Sequence, residues 1–239
     1  MATAELAADV VVVAAEAREL AGLRRRATAV TVVTGWWAPR HAWLARLGGA
    51  RWLLAANGPG KLAGMAAAEA LKGTGARCVI SVGLCGALDP ALTAGTVVQA
   101  SEVIGGVGGP WQCGTVHSAL PAVRGLSIDR VAVSAAEKRR LRAENGASVV
   151  EMEAAAVAQR AAEAGVRFYC VKAVSDGADE DLPLDFNRYR DDEGRFSHWR
   201  IALACAWRPW VVPNLLNFDR RCRRACDRLG ECLVNARVE

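Results

Sequence analysis

Between positions 151 and 176 the chain changes character twice in a way that few folds accommodate. An Ala-rich stretch, residues 151–164, is stopped by Gly165, and a nearly all-apolar run, residues 168–174, then ends in Ser175-Asp176. Alanine at that density favours a helix, and glycine just past the end marks where helices close. An apolar run without alternation suits a strand buried on both faces, as a parallel strand under helical cover is. Ligands of open α/β sheets bind beyond the carboxyl ends of the strands, which is where Asp176 falls. Glu153 is expected in the first turn of the 151–164 helix, where a negative charge suits the helix dipole. Two carboxylates are thus placed at the mouth of one sheet.

The rest of the chain repeats this alternation. Residues 10–14 read as a buried first strand and 16–23 as the start of a helix. Strands are expected at 28–33 and 51–56, with Trp36-Trp37-Ala38-Pro39 marking the loop between. Gly58-Pro59-Gly60 breaks the chain before an Ala-rich helix, 61–72, closed by Gly73. Further strands are expected at 78–82, 96–103 and 130–133, with a glycine-rich loop at 105–109 and a charged helix at 135–144. A long loop covers 179–194, and helices at 200–207 and about 214–236 complete the pattern. Strands alternating with Ala-rich helices predict an α/β fold with a mostly parallel sheet under helices. No repeat or linker divides residues 1–239, so one domain is expected, with a basic C-terminal helix.

With 239 residues, 52% of them hydrophobic, the chain can bury a sizeable core. No stretch reads as a transmembrane span, and the first residues lack the basic region and long apolar core of a signal peptide. A cytoplasmic location is the expectation. The eight cysteines contain no C-x-x-C pair and several lie in apolar runs, which predicts buried reduced thiols. His41, His117 and His198 stand far apart, so no metal and no cofactor are expected. The net charge is +5, carried almost wholly by arginine, with only four lysines. Asp219-Arg220-Arg221-Cys222-Arg223-Arg224 lacks aromatic interleaving, which argues against nucleic acid as a partner. A solvated helix face is the simpler reading. Peripheral membrane contact is the other, through an apolar stripe of Leu215, Leu216, Phe218, Cys222, Leu229 and Leu233 beside the arginines.

Val150-Glu151-Met152-Glu153-Ala154 and Val174-Ser175-Asp176, with Gly58-Pro59-Gly60-Lys61 and Val82-Gly83-Leu84-Cys85-Gly86-Ala87-Leu88-Asp89-Pro90, resemble the nucleoside phosphorylase/nucleosidase superfamily. Within it the chain is most similar to the methylthioadenosine/S-adenosylhomocysteine nucleosidases, over about residues 10–181. Residues 178–187 further resemble the hopanoid-associated phosphorylase-like proteins, a group linked to removing adenine from adenosylhopane. The resemblance implies a three-layer α/β/α sandwich around a central mixed sheet, assembled as a homodimer or larger homo-oligomer. It also implies a small-molecule or lipid-linked adenosyl substrate.

Cleaving a purine N-glycosidic bond builds cationic character on the sugar while the base departs as an anion unless protonated. A carboxylic acid can protonate it near neutral pH only if its surroundings raise its pKa. The resemblance gives that role to Asp176, oriented by Ser175, and puts Glu153 on the ribose hydroxyls beside Met152. Glu151 is a further substrate-binding candidate. Water activation falls to Glu16 or Glu19, one helical turn apart; the choice leans to Glu16. Gly83 and Leu84 stand in the glycine turn, whose free backbone N–H groups would hold an anion or a water. Ser81 and Leu84 replace the Arg and Ser that phosphorylases use for phosphate, which favours hydrolysis over phosphorolysis. Lys172 replaces an Arg, so a bidentate contact becomes a single ammonium contact. A non-catalytic nucleoside- or lipid-binding protein is the rival of another class. Trp199, Trp207 and Trp210 are expected either at an apolar entrance or in packing.

Overall fold

The computed structural model describes residues 6–35, 40–117 and 119–236. The readings of residues 1–5 and of the loop at Trp36-Trp37-Ala38-Pro39 lie outside them. The chain is built on one ten-stranded mixed sheet. Its centre is made by β1 (Val10–Ala14), which pairs in parallel with β4 (Ala50–Ala56) on one side and β5 (Cys78–Ala87) on the other. Antiparallel β3 (His41–Leu47) and β2 (Ala29–Val32) extend the sheet beyond β4.

On the other side β5 runs parallel to β10 (Arg167–Asp176). A ring then closes through β6 (Val97–Ile104), β8 (Ala122–Ser127) and β9 (Val149–Glu151), which returns to the far end of β5. The short β7 (Trp111–Gln112) hangs on β6. The ends of β5, β9 and β10 therefore meet at one place.

Alternation along the central strands assigns each side chain to a face. Val11, Val13, Leu53, Ala55 and Val79 pack under α2 (Lys61–Thr74) and α4 (Ala154–Ala164). Val10, Val12, Leu54 and Ile80 pack with Leu23 of α1 (Ala21–Arg26) and with Ala225, Leu229 and Leu233 of α6 (Val212–Val234). This is the three-layer sandwich. Helices α1 and α6 cross at Gly22 and Gly230, where a Cβ on Gly230 would sit 2.3 Å from the Gly22 carbonyl carbon. Arg25 and Arg26 also pair with Asp227 across that crossing. Such exposed pairs contribute about 0–1 kcal/mol each. Full burial of a leucine contributes roughly 1.5–3 kcal/mol, so Leu229 and Leu233 hold α6 down.

Several expectations need correction. Residues 16–20 form turns rather than helix, because the Glu19 carboxylate accepts the Glu16 N–H (2.8 Å) and folds the backbone on itself. The missed β3 is an antiparallel strand broken up by His41 and Arg46 at exposed positions, so it lacks an apolar run. Residues 130–133 are a loop. Asn187 takes the Val131 N–H at 2.8 Å and donates to its carbonyl at 3.0 Å, replacing a strand partner. The turn expected at Gly83–Gly86 is strand, because β10 carries β5 onward to Ala87. The C-terminal stripe is divided: Cys222, Leu229 and Leu233 are buried, while Leu216 is exposed. No helix among the described residues is long and apolar enough to cross a membrane.

Candidate active site

A cavity of about 430 Å³ opens where β5, β9 and β10 end. Its floor carries Glu19, Glu153, Ser175 and Asp176, with Met152 and Leu84 beside them, and its far wall carries Phe186, Phe196, Ile201, Leu215 and Phe218. Volumes of this order hold a nucleoside-sized ligand.

Asp176 ends β10 and is 3% exposed. Lys138, on α3 (Ala135–Asn145), reaches its Oδ2 at 2.5 Å. The same ammonium donates to the carbonyls of Gly177 and Glu180, both at 2.8 Å, so its three protons are all used. Ser175 Oγ lies 2.5 Å from Asp176 Oδ1 and 3.0 Å from the Cys85 carbonyl. A hydroxyl has one proton. The hydroxyl is shared between Asp176 Oδ1 and the Cys85 carbonyl, and it fixes the orientation of the carboxyl. Burial raises the Asp176 pKa, and Lys138 only partly offsets that. Lys138 is fully buried yet was not singled out from the sequence. The available signal was a lysine three residues before Leu141, on the only apolar edge of a charged helix.

Glu153 does not lie in the first helical turn. Glu151 closes β9, α4 starts at Ala154, and Glu153 stands between them. The Glu151 carboxylate accepts the N–H groups of Glu153 (3.0 Å) and Ala154 (2.8 Å), capping the helix from the strand end. Lys172 lies between the two carboxylates, 2.8 Å from Glu151 and 3.1 Å from Glu153. One cation cannot neutralise two buried anions. Burial opposes ionisation of Glu151, but Lys172 outweighs it and the pKa is lowered. Glu153 takes the other outcome: burial, with the charges of Glu151 and Glu19, raises it to about 8 against the pull of Lys172. Near neutral pH Glu153 therefore holds a proton, and its carboxyl can both donate and accept. Lys172 does not line the cavity; it braces the carboxylates from behind.

The two candidates for water activation separate clearly. Glu16 lies toward the rim, with its carboxylate 2.7 Å from Arg18. Glu19 is buried, and its carboxylate accepts the Leu84 N–H at 2.8 Å as well as that of Glu16. Burial first, and Glu16 second, raise its pKa above the ordinary carboxylate value, which strengthens it as a base. Both glutamates line the cavity, and Glu19 is the buried one, held by two backbone N–H groups. The Leu84 N–H expected to be free is the one Glu19 occupies. Gly83 touches Glu19 rather than the cavity: a Cβ there would meet Glu19 Oε1 at 2.6 Å. Gly86 similarly makes room for Asp176, whose Oδ2 would lie 3.2 Å from an added Cβ.

Three arginines, Arg18, Arg130 and Arg223, reach the cavity. Each is paired already, with Glu16, Glu137 and Asp219 respectively. Ser81 is fully buried and away from the cavity. Among the described residues no group of three or more His, Cys, Asp or Glu side chains is placed to hold a metal ion.

The phosphorylase superfamily model matches residues 113–198, the segment that holds α3, β9, α4 and β10. No curated protein sequence matches the chain. Solved structures give the fold. The chain is similar to the 5′-methylthioadenosine/S-adenosylhomocysteine nucleosidase of Neisseria meningitidis, in complex with methylthio-immucillin-A, at 23% identity and a TM-score of 0.72, covering 95% of this chain and 96% of that one. It is similar to the S-adenosylhomocysteine nucleosidase of Streptococcus pyogenes at 19% identity and a TM-score of 0.72, covering 96% and 95%. A futalosine hydrolase mutant of Helicobacter pylori is 15% identical with a TM-score of 0.71, covering 95% and 96%. This chain therefore has the mixed α/β fold of those nucleosidases and hydrolases.

Proposed function

We propose that the protein is a purine nucleosidase of the phosphorylase superfamily that hydrolyses the N-glycosidic bond of an adenosyl conjugate and releases adenine. The observation that carries this is the convergence on one cavity floor of the buried Asp176, its pKa raised by that burial, with Glu153 and Glu19. Asp176 gives its proton to the departing purine, and Lys138 and Ser175 fix the carboxyl in place. Glu153 meets the ribose hydroxyls. As positive charge grows at the sugar, the Glu153 carboxyl oxygen facing it shelters that charge while the carboxyl keeps its proton. Glu19 takes the proton of the attacking water, whose oxygen bonds to the anomeric carbon as the bond to the purine nitrogen breaks.

Hydrolysis is preferred over phosphorolysis on charge. A phosphate dianion would find no unpaired arginine or lysine lining the cavity among the described residues. The apolar wall of Phe186, Phe196, Phe218, Leu215 and Ile201 suits a bulky apolar group at the 5′ position. Adenosylhopane, giving ribosylhopane and adenine, is the preferred substrate on that ground; methylthioadenosine and S-adenosylhomocysteine come next. The test is adenine release from these compounds, with and without phosphate. Release from adenosylhopane in phosphate-free buffer is expected. Strict phosphate dependence would make the protein a phosphorylase, and tight binding without any release would make it a binding protein.

A further inference from the structure

The helix α5 (His198–Trp207) buries none of its residues. Trp199, Leu203 and Trp207 recur four apart along it, so they share one face, and they are 69%, 52% and 78% exposed. Trp210 (71%) in the following 3-10 turn and Leu216 (52%) early in α6 continue the patch. A ten-residue helix with nothing buried gains little from the fold, and short isolated helices are marginal in water. An exposed patch built from three tryptophans is a surface made for contact.

Charge identifies the contact. From His198 to Phe218 there is no aspartate or glutamate, while Arg200 and Arg208 lie within that stretch and Arg220, Arg221, Arg223 and Arg224 follow it. Arg221 and Arg223 pair with Glu180 and Asp219, whereas Arg208, Arg220 and Arg224 pair with no carboxylate among the described residues. Leu216, Arg220 and Arg224 recur four apart on the exposed side of α6. A two-fold contact between copies would set this patch against itself, arginine against arginine, and Asp185, the carboxylate that lines the groove beside Arg208 and Trp210, is already held by Arg188. A bilayer with anionic headgroups answers both halves: indole rings settle at the headgroup level and arginines meet phosphates.

We propose that the exposed face of α5, the 3-10 turn and the start of α6 docks on an anionic membrane surface. The inference goes beyond the catalytic reading and stands on the surface alone. It has a consequence for the cavity, because Ile201 and Leu215 of the same segment line its wall. Docking places that wall beside the bilayer, where an apolar substrate resides.

The experiment is flotation of the full chain with vesicles of phosphatidylcholine alone or with phosphatidylglycerol, at low and high salt, for the native protein and the double variant Trp207→Ala, Trp210→Ala. Native protein is expected to float with phosphatidylglycerol vesicles at low salt and to be released by high salt. The variant is expected to lose about tenfold in partitioning while its thermal midpoint and its adenine release from soluble substrates stay unchanged. Native protein that never floats, or a variant that floats equally well, overturns the proposal. So does a native dimer that the variant converts to monomer, since a second copy would then cover the patch. Flotation is read without turnover, so an inactive protein that floats would refute the catalytic reading and leave this one standing.

Discussion

The floor of the cavity and its aromatic wall are held by different forces. Asp176, Glu153 and Glu19 are fixed by buried hydrogen bonds from Lys138, Lys172, Ser175 and the Leu84 N–H, each within a strand, a helix or an adjoining turn of the sandwich. The wall is fixed by ring contacts: Phe186 lies 6.3 Å from Phe196 and 5.8 Å from Phe218, centroid to centroid. Hydrogen bonds to buried charges set atoms to within fractions of an ångström, whereas apolar contacts tolerate different shapes at similar energy. The comparison teaches that chemistry and substrate choice are separable here. Changes to the floor should stop turnover for every substrate, and changes to the wall should reorder substrates without stopping it.

The largest expected effect is at Asp176, the proposed proton donor. Asp176→Asn should lower kcat for adenine release by about a thousandfold for all adenosyl compounds while binding persists, within the usual range for a lost general acid. An active variant, read by chromatography of adenine, would remove Asp176 from the role. Lys138→Met tests positioning rather than proton transfer. Its ammonium holds the Asp176 pKa down, so its loss should move the alkaline limb of the kcat profile to higher pH and lower kcat about tenfold. A profile that keeps its limb while stability drops would show Lys138 to be structural only.

A smaller effect sharpens the contrast. Phe218→Ala should raise KM about tenfold for substrates with a large apolar 5′ group and leave methylthioadenosine within about twofold. Equal losses for both would merge the two regions into one.

The smallest effect is on stability. The Glu153 pKa is about 8 when folded, against an ordinary value of 4.5, so the folded state holds a proton the unfolded chain releases. Stability from this group is full below the ordinary value and is lost as pH rises through 8. The thermal midpoint should therefore fall between pH 6 and pH 8.5, and Glu153→Gln should reduce that fall by about 2–4 °C. Equal slopes for the two proteins would show that Glu153 is not protonated in the fold.

The same contrast explains what could be read from the sequence. Strand β10 and the helices α2 and α4 are uniform runs closed by glycine, and β1 is a short uninterrupted valine run, so their signals are local. Asp176 and Glu153 were legible because they stand at the ends of such runs. Lys138 was not, because its partner is 38 positions away and only the closing of the β5–β10 ring brings them together. The sequence reading leans to Glu16 over Glu19 on the expectation of a helix where the Glu19 side chain makes a turn. The α6 stripe was misjudged for a related reason. Apolar residues beside arginines fit a core face and a membrane face equally, and only the position of the sheet shows that Leu229 and Leu233 point inward while the tryptophans of α5 and the 3-10 turn do not.

The two glycines of β5 give the site an off switch that no ligand would detect. An alanine methyl at position 83 would occupy the space of the Glu19 carboxylate, on a backbone with φ +140° that disfavours any side chain, and one at position 86 would crowd Asp176. The chemistry therefore depends on two places where the chain supplies no atoms at all. With Gly86→Ala the Asp176 carboxyl would have to give by a few tenths of an ångström while the other groups lining the cavity stay in place, so this strand is a handle on the proposed acid alone.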